Sequence, residues 1–228
     1  MCGIVCAWGP DGYAWAEHAL ERLTHRGPDA RALEHVDDLI FGFTRLAING
    51  LDAHGMQPMR HLGLMAVVNG EIYNHLALRK DFGLAGLGGS DMAVVLPLYA
   101  KLGKGLLDRL DGFFSGVIYD SSTQKLFTLR DAIGKKPLFL VRAQGTFLLT
   151  STLKSASQVE TFEDIPQGIC EIDMESGQVT RLVPPPQPTL PQVPTSLVTV
   201  MRRSIDKRTS CPDQSSFAVF VSGGLDSS

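Results

Sequence analysis

The chain opens Met1-Cys2-Gly3-Ile4-Val5, and its second residue constrains everything that follows. Methionine aminopeptidase removes an initiator Met that precedes a small side chain, and Cys is small enough. The mature chain would then begin with a thiol and a free α-amine on one residue. An α-amine has a pKa of roughly 8, close enough to neutral to act as a general base. The thiol is a strong nucleophile limited by its thiolate fraction. Such a residue carries its own base, the Cys counterpart of the threonine–N-terminal amine pairing. The plain alternative is a small buried residue that follows Met by chance. Residues Cys2 to Trp8 form an apolar run too short for a typical helix, which reads as a buried strand.

At 228 residues the chain has room for one large domain and part of another. It is 44% hydrophobic and 20% charged, which supports a sizeable core and argues against general disorder. A net charge of −3 argues against a nucleic-acid binder working by bulk electrostatics. Four Cys in a chain this long are not a disulfide scaffold. Cys2 and Cys6 lack a second closely spaced Cys/His pair, so no metal site is expected. No basic segment precedes an apolar run, and no stretch approaches membrane-spanning length. The expectation is a cytoplasmic protein in a reducing compartment, with neither a membrane nor a nucleic acid as partner.

Trp15, Ala19, Leu20 and Leu23 fall at helical spacing, in a helix expected to end near His25-Arg26-Gly27-Pro28. Short apolar runs at Leu39–Thr44, Leu64–Val68, Phe114–Tyr119, Lys125–Leu129, Leu138–Arg142 and Phe147–Ser151 read as strands. Several are joined as hairpins by turns such as Asp120-Ser121-Ser122 and Ala143-Gln144-Gly145. Asp91–Leu102 has helical spacing but contains Pro97, so a kink or local irregularity is expected there. Strands at Gly168–Asp173 and Gln178–Val183 follow. Many strands with few helices predict a layered α+β fold. A Pro-rich spacer then begins at Pro184, and a helix candidate spans Ser196–Arg208. A strand, Phe217–Val221, leads into Ser222-Gly223-Gly224-Leu225-Asp226-Ser227-Ser228. Paired glycines and hydroxyls after a strand suit the gripping of a phosphate.

These blocks carry a resemblance. SGGLDSS is similar to the pyrophosphate loop of the ATP-pyrophosphatase superfamily. The blocks CGIV, HRGPD, RLAI, GMQPM, NGEIYNH, GSD, LDGFF and RDAIGKKPLF resemble, in that order, a class II glutamine amidotransferase of the N-terminal-nucleophile (Ntn) hydrolase type. Together they are similar to the glutamine-dependent asparagine synthetase family. The resemblance implies a four-layer αββα sandwich over residues 1–183, a linker over 184–196, and over 197–228 the truncated start of an α/β ATP-pyrophosphatase domain.

The resemblance also implies roles. Cys2 attacks the side-chain amide of L-glutamine, forming a thioester and releasing ammonia, with no cofactor. Asn69 and Gly70 match the oxyanion pair, one a side-chain amide and the other a backbone N–H. Arg45 matches the grip on the substrate α-carboxylate, where a planar fork suits bidentate recognition. Asp91 matches the partner of the α-ammonium. Leu46, Ile48 and Glu71 fall in the same glutamine-contacting segments. Ser222, Gly223, Gly224, Leu225, Asp226, Ser227 and Ser228 match the ATP-contacting loop. ATP, Mg²⁺ and L-aspartate belong to the full family reaction. Arg26 is expected to support the nucleophile loop, and His25 and His75 to be structural.

Each site residue also has an ordinary reading. Arg45 could be a solvated charge, Asp91 a helix N-terminal residue, and Asn69-Gly70 a hairpin turn. Thr152 replaces the Glu usual in the family. Synthetases of this family continue well past the phosphate loop, so these residues are expected to hydrolyse glutamine but not to make asparagine alone. A chain ending there reads as a fragment, a truncated product or half of a split enzyme, acting as a homodimer or with a partner subunit. The competing readings are a catalytically idle regulatory domain, or the amidotransferase part of a synthetase acting on another carboxylate.

Overall fold

The apolar run after Cys2 becomes the buried central strand of a sheet. The computed structural model of the protein describes residues 1–187, 196–209 and 221–224. The chain divides into two units, Met1–Thr189 and Leu190–Ser228. In the first, β1 (Gly3–Trp8) leads to α1 (Gly12–Leu23), β2 (Ala30–Val36), β3 (Leu39–Arg45), β4 (Met59–His61) and β5 (Leu64–Ile72). Next come α2 (His75–Asp81), α3 (Val95–Leu102), β6 (Gly112–Asp120), β7 (Lys125–Arg130), β8 (Phe139–Ala143) and β9 (Thr146–Thr150). Last are β10 (Thr161–Asp164), β11 (Gly168–Ile172) and β12 (Val179–Val183).

The strands form two antiparallel six-stranded sheets, ordered β10-β8-β9-β1-β3-β2 and β12-β11-β7-β6-β5-β4. Side chains alternate across each strand, and this alternation builds four layers. From β1, Ile4 and Cys6 enter the core between the sheets beside Phe43, Val67 and Val117. Val5 and Ala7 face the other way and pack with Trp15, Ala19 and Leu20 of α1. In β5, Met65 and Val67 point between the sheets, while Ala66 and Val68 pack with Leu96 and Leu98 of α3. Helix, sheet, sheet and helix therefore stack in that order. This is an α+β sandwich with two antiparallel sheets at its centre.

Local chemistry explains where the elements begin and end. Gln144 and Gly145 both have positive φ, 51° and 74°, which makes the two-residue β8–β9 turn the mirror-image type that suits twisted strands. The first helix stops at Leu23, and Thr24–Arg26 tightens into a 3₁₀ turn. Gly27 follows because a Cβ there would collide with the Thr44 carbonyl of β3. The irregularity expected around Pro97 takes a definite form: Asp91–Val94 is 3₁₀ and α3 starts at Val95. Pro97 lies in the first turn of α3, where a backbone N–H has no intrahelical partner to lose.

In the second unit α4 spans Leu197–Thr209. Residues 217–220 of the expected strand and Leu225–Ser228 of the expected phosphate loop lie outside the described residues.

Candidate active site

Register places Cys2. Gly3 of β1 pairs with Thr44 of β3, so Cys2 emerges beside the end of β3, next to Arg45 and Leu46. The Leu46 N–H points at Cys2 Sγ at 3.4 Å, and the thiol donates to the Leu46 carbonyl at 3.7 Å. The backbone around it is held by side chains. Arg26 Nε donates to the Cys2 carbonyl at 3.1 Å. Gly3 N–H donates to Thr44 Oγ1 at 3.1 Å, and Ile4 N–H to Ser151 Oγ at 2.9 Å.

The second sheet supplies the facing wall. Asn69 and Gly70 lie inside β5, paired with Ser115 and Phe114 of β6, and are not a hairpin turn. Gly at position 70 is required by close approach, since a Cβ would meet the Phe113 carbonyl and the Phe114 backbone. The stretch is clamped at both ends. Gln57 donates from Nε2 to the Val68 carbonyl at 2.9 Å and accepts the Val68 N–H at 2.6 Å. At the other end Asp91 Oδ2 accepts the Ile72 N–H at 2.8 Å.

A cavity of about 180 Å³ lies between these walls, with Cys2, Arg45, Leu46 and Ile48 on one side of its lining sequence and Asn69, Gly70, Glu71 and Asp91 on the other. All the residues expected to contact glutamine are thereby gathered in one place. The volume is below the roughly 300–1,000 Å³ of pockets for drug-sized ligands, and suits a small metabolite.

Three polar groups in the cavity are distinctive. The Asn69 side chain is only 2% exposed, yet its Nδ2 has no hydrogen-bond partner. A buried donor without a partner is costly, so its retention points to a ligand acceptor. Arg45 is buried and donates to the carbonyls of Asp52, at 2.8 Å, and Gly50. Those bonds use two of its five N–H donors and fix the loop that carries Leu46, Ile48 and Asn49. Asp91 is 5% exposed, and no Lys or Arg lies within ion-pair distance of it among the described residues. Burial pushes its carboxyl pKa up, against the pull of hydrogen bonds from Ile72 and Asn49.

Burial also pushes the Cys2 thiol up, opposed by the Leu46 hydrogen bond and the charge of Arg45. Among the described residues no His lines the cavity. His25 bonds to the Arg22 carbonyl at 2.8 Å, and His75 begins α2. Met1 lies at the cavity wall. Its amine is shifted down, first by burial and then, among its charged neighbours, by Lys136 and Arg26.

The structure adds Gln57, Asn49, Phe113 and Lys136 to the lining. Gln57 and Lys136 stand inside the GMQPM and RDAIGKKPLF blocks, which was the signal available for them. Of the expected phosphate loop only Ser222, Gly223 and Gly224 are described, with Gly224 N–H turned onto Ser222 Oγ at 3.3 Å. Among the described residues no group of three His, Cys, Asp or Glu could hold a metal, and no helix is long and apolar enough to cross a membrane.

Two facing antiparallel sheets between helices, with a cysteine at the head of a central strand, form a four-layer αββα sandwich. Solved structures agree on the fold: glutamine phosphoribosylpyrophosphate amidotransferase from B. subtilis superimposes with a TM-score of 0.67 at 19% identity, covering 79% of this chain and 49% of that one. Residues 1–185 match the glutamine amidotransferase domain family, and the chain belongs to it. It is also 38% identical to an asparagine synthetase [glutamine-hydrolyzing] from Sandersonia aurantiaca, over 100% of this chain and 46% of that protein. Asparagine synthetase [glutamine-hydrolyzing] 2 from Lotus japonicus is 36% identical, over 100% of this chain and 41% of its own length. The chain spans less than half the length of these curated relatives.

Proposed function

We propose that this chain hydrolyses L-glutamine to glutamate and ammonia through Cys2, once Met1 has been removed. The Cys2 thiol passes its proton to its own α-amine. The Sγ–C bond to the glutamine side-chain carbonyl forms, and the carbonyl oxygen gathers negative charge. Asn69 Nδ2 and the Gly70 N–H meet that charge. The C–N bond then breaks, and the proton held by the amine leaves with the nitrogen as ammonia. Water cleaves the thioester to give glutamate and restore the thiol. Arg45 would hold the α-carboxylate, and Asp91 the α-ammonium. Leu46, Ile48 and Glu71 would shape the pocket between them.

The observation that carries this reading is the buried Asn69 Nδ2, which has no partner in the fold and lines the same cavity as Cys2. The experiment is capture of Cys2 by a thiol-reactive glutamine analogue, with glutamate and ammonia release followed in parallel. A label on Cys2 that glutamine blocks supports the enzyme. An unlabelled, folded chain supports an idle regulatory domain instead.

The relatives' names support a wider role in which the ammonia serves asparagine formation; we propose L-aspartate as the acceptor, with ATP consumed and Mg²⁺ carried with the nucleotide. In that reading residues 1–183 form the amidotransferase domain, 184–196 the linker and 197–228 the start of the ATP-dependent domain. Its site, a cytoplasmic location and any partner subunit are part of the same proposal.

A further inference from the structure

The RDAIGKKPLF block has no part in the chemistry described so far, yet two buried charged residues are spent on its shape. Arg130, at the end of β7, donates from Nε to the Lys136 carbonyl at 3.0 Å and from Nη2 to the Gly134 carbonyl at 3.1 Å. Its Nη1 reaches Asp164 at 2.8 Å and the Ile165 carbonyl. Asp131 accepts the N–H groups of Phe114 at 3.1 Å, Ile133 at 3.0 Å and Lys135 at 3.2 Å. Together they fold residues 131–136 back on themselves and tie the loop to β6.

That loop delivers Lys136 to the cavity that holds Cys2. The side chain is 5% exposed. Its Nζ stands 4.6 Å from the centre of the Phe113 ring, beside the Gly70 wall. No carboxylate lies within ion-pair distance of it among the described residues. A buried ammonium without an anionic partner is costly to the fold, and a cation–π contact returns only part of that cost.

We propose that Lys136 is a positioning residue for Cys2, its buried ammonium supplying the positive charge that favours thiolate over thiol in the cavity. The inference rests on Cys2 being the nucleophile. The charged groups around Cys2 are the terminal amine, Arg45, Arg26 and Asp91, and those around Lys136 are Lys135, Arg26, Cys2 and Glu71. Arg45 and Arg26 each hold backbone carbonyls, whereas Lys136 is buried at the cavity wall with no ion pair among the described residues. Burial and the nearby cations shift the Lys136 pKa down, while Cys2 and Glu71 pull it up. This fits a charge placed for an anion that forms during reaction.

The test is the pH dependence of Cys2 alkylation by iodoacetamide, in chain shown by mass spectrometry to lack Met1, with the label located on the Cys2 peptide. Lys136→Met should raise the midpoint by roughly one pH unit, the effect of removing one neighbouring charge, while Lys136→Arg holds it near wild type. A folded Lys136→Met chain with an unmoved midpoint would overturn the proposal. Lys136→Gln is read by the same criterion if the Met variant does not fold. Alkylation needs no glutamine, so a raised midpoint in the variant, beside a processed wild-type chain that turns over no glutamine, would uphold Lys136 and sink the glutaminase reading. Glutamine turnover with an unmoved midpoint would do the reverse.

Discussion

The side-chain amide of Gln57 bonds to both peptide groups of Val68, so that one side chain stands in for a neighbouring strand at the residue before Asn69. β4 covers β5 only from Leu64 to Ala66. Beyond that point Gln57 is what satisfies the exposed edge, and what fixes the height of the proposed oxyanion donors.

Replacing Gln57 tests that arrangement. Gln57→Ala strands a buried N–H and a buried carbonyl, at about 1–3 kcal/mol each. The expected result is a lower denaturant midpoint, with a fall in glutaminase kcat larger than any change in KM. A normal kcat in the folded variant would show that the edge does not govern Asn69.

Asn69→Ala should behave oppositely in stability and activity. The orphaned Nδ2 earns the fold no hydrogen bond, so thermal unfolding should be unchanged or slightly raised. Loss of one oxyanion donor typically costs about 10²–10³ in kcat, with KM little affected. Steady-state kinetics beside a melting curve checks both halves. A marked loss of stability with normal turnover would place Asn69 in the core instead.

Arg45→Lys keeps the charge and loses the planar fork. Because the carboxylate it would hold is remote from the reacting amide, its contact is similar in ground and transition states. KM should rise about 10–100-fold, the scale of a lost charge-assisted hydrogen bond, with kcat changed far less. Arg45 also holds the Gly50 and Asp52 carbonyls, so protease sensitivity of that loop should increase.

Asp91→Asn separates binding from folding through pH. Burial raises the carboxyl pKa in the folded chain, so the native state binds this proton more tightly than the unfolded one. Stability contributed at this position is therefore lost as pH rises from the unfolded pKa towards the folded one. The Asn variant should match wild type in acid and become relatively more stable towards neutral pH. Asn can still accept the Ile72 N–H, but it carries no charge for an ammonium, so KM for glutamine should rise. Denaturation curves at several pH values with KM at neutral pH decide this. An unchanged KM would remove Asp91 from the substrate grip.

The sandwich was legible where short apolar runs mark strands buried on both faces, as in β1, β3, β6 and β7. Of the four edge strands, only β12 was legible. β2 carries Arg31, Glu34 and His35, β10 is largely exposed and β4 is three residues long, so none shows an apolar period. Cys2, Arg45, Asn69, Gly70 and Asp91 were reachable because ordered blocks mark them. Gln57 and Lys136 stand in such blocks too, but their roles come from a two-sided bond to one peptide and from a loop folded by Arg130 and Asp131. Spacing along the chain expresses neither.

The central claim is that the α-amine of Cys2 is the base. It is tested most directly by measuring ammonia release from glutamine with two preparations of the same chain, shown by mass spectrometry to be the Met1-retained and Met1-removed forms. An amide nitrogen cannot accept the proton, so the retained form should be inactive while circular dichroism shows the same fold, and the processed form should turn over glutamine. Equal turnover by a preparation in which every chain retains Met1 would contradict the account.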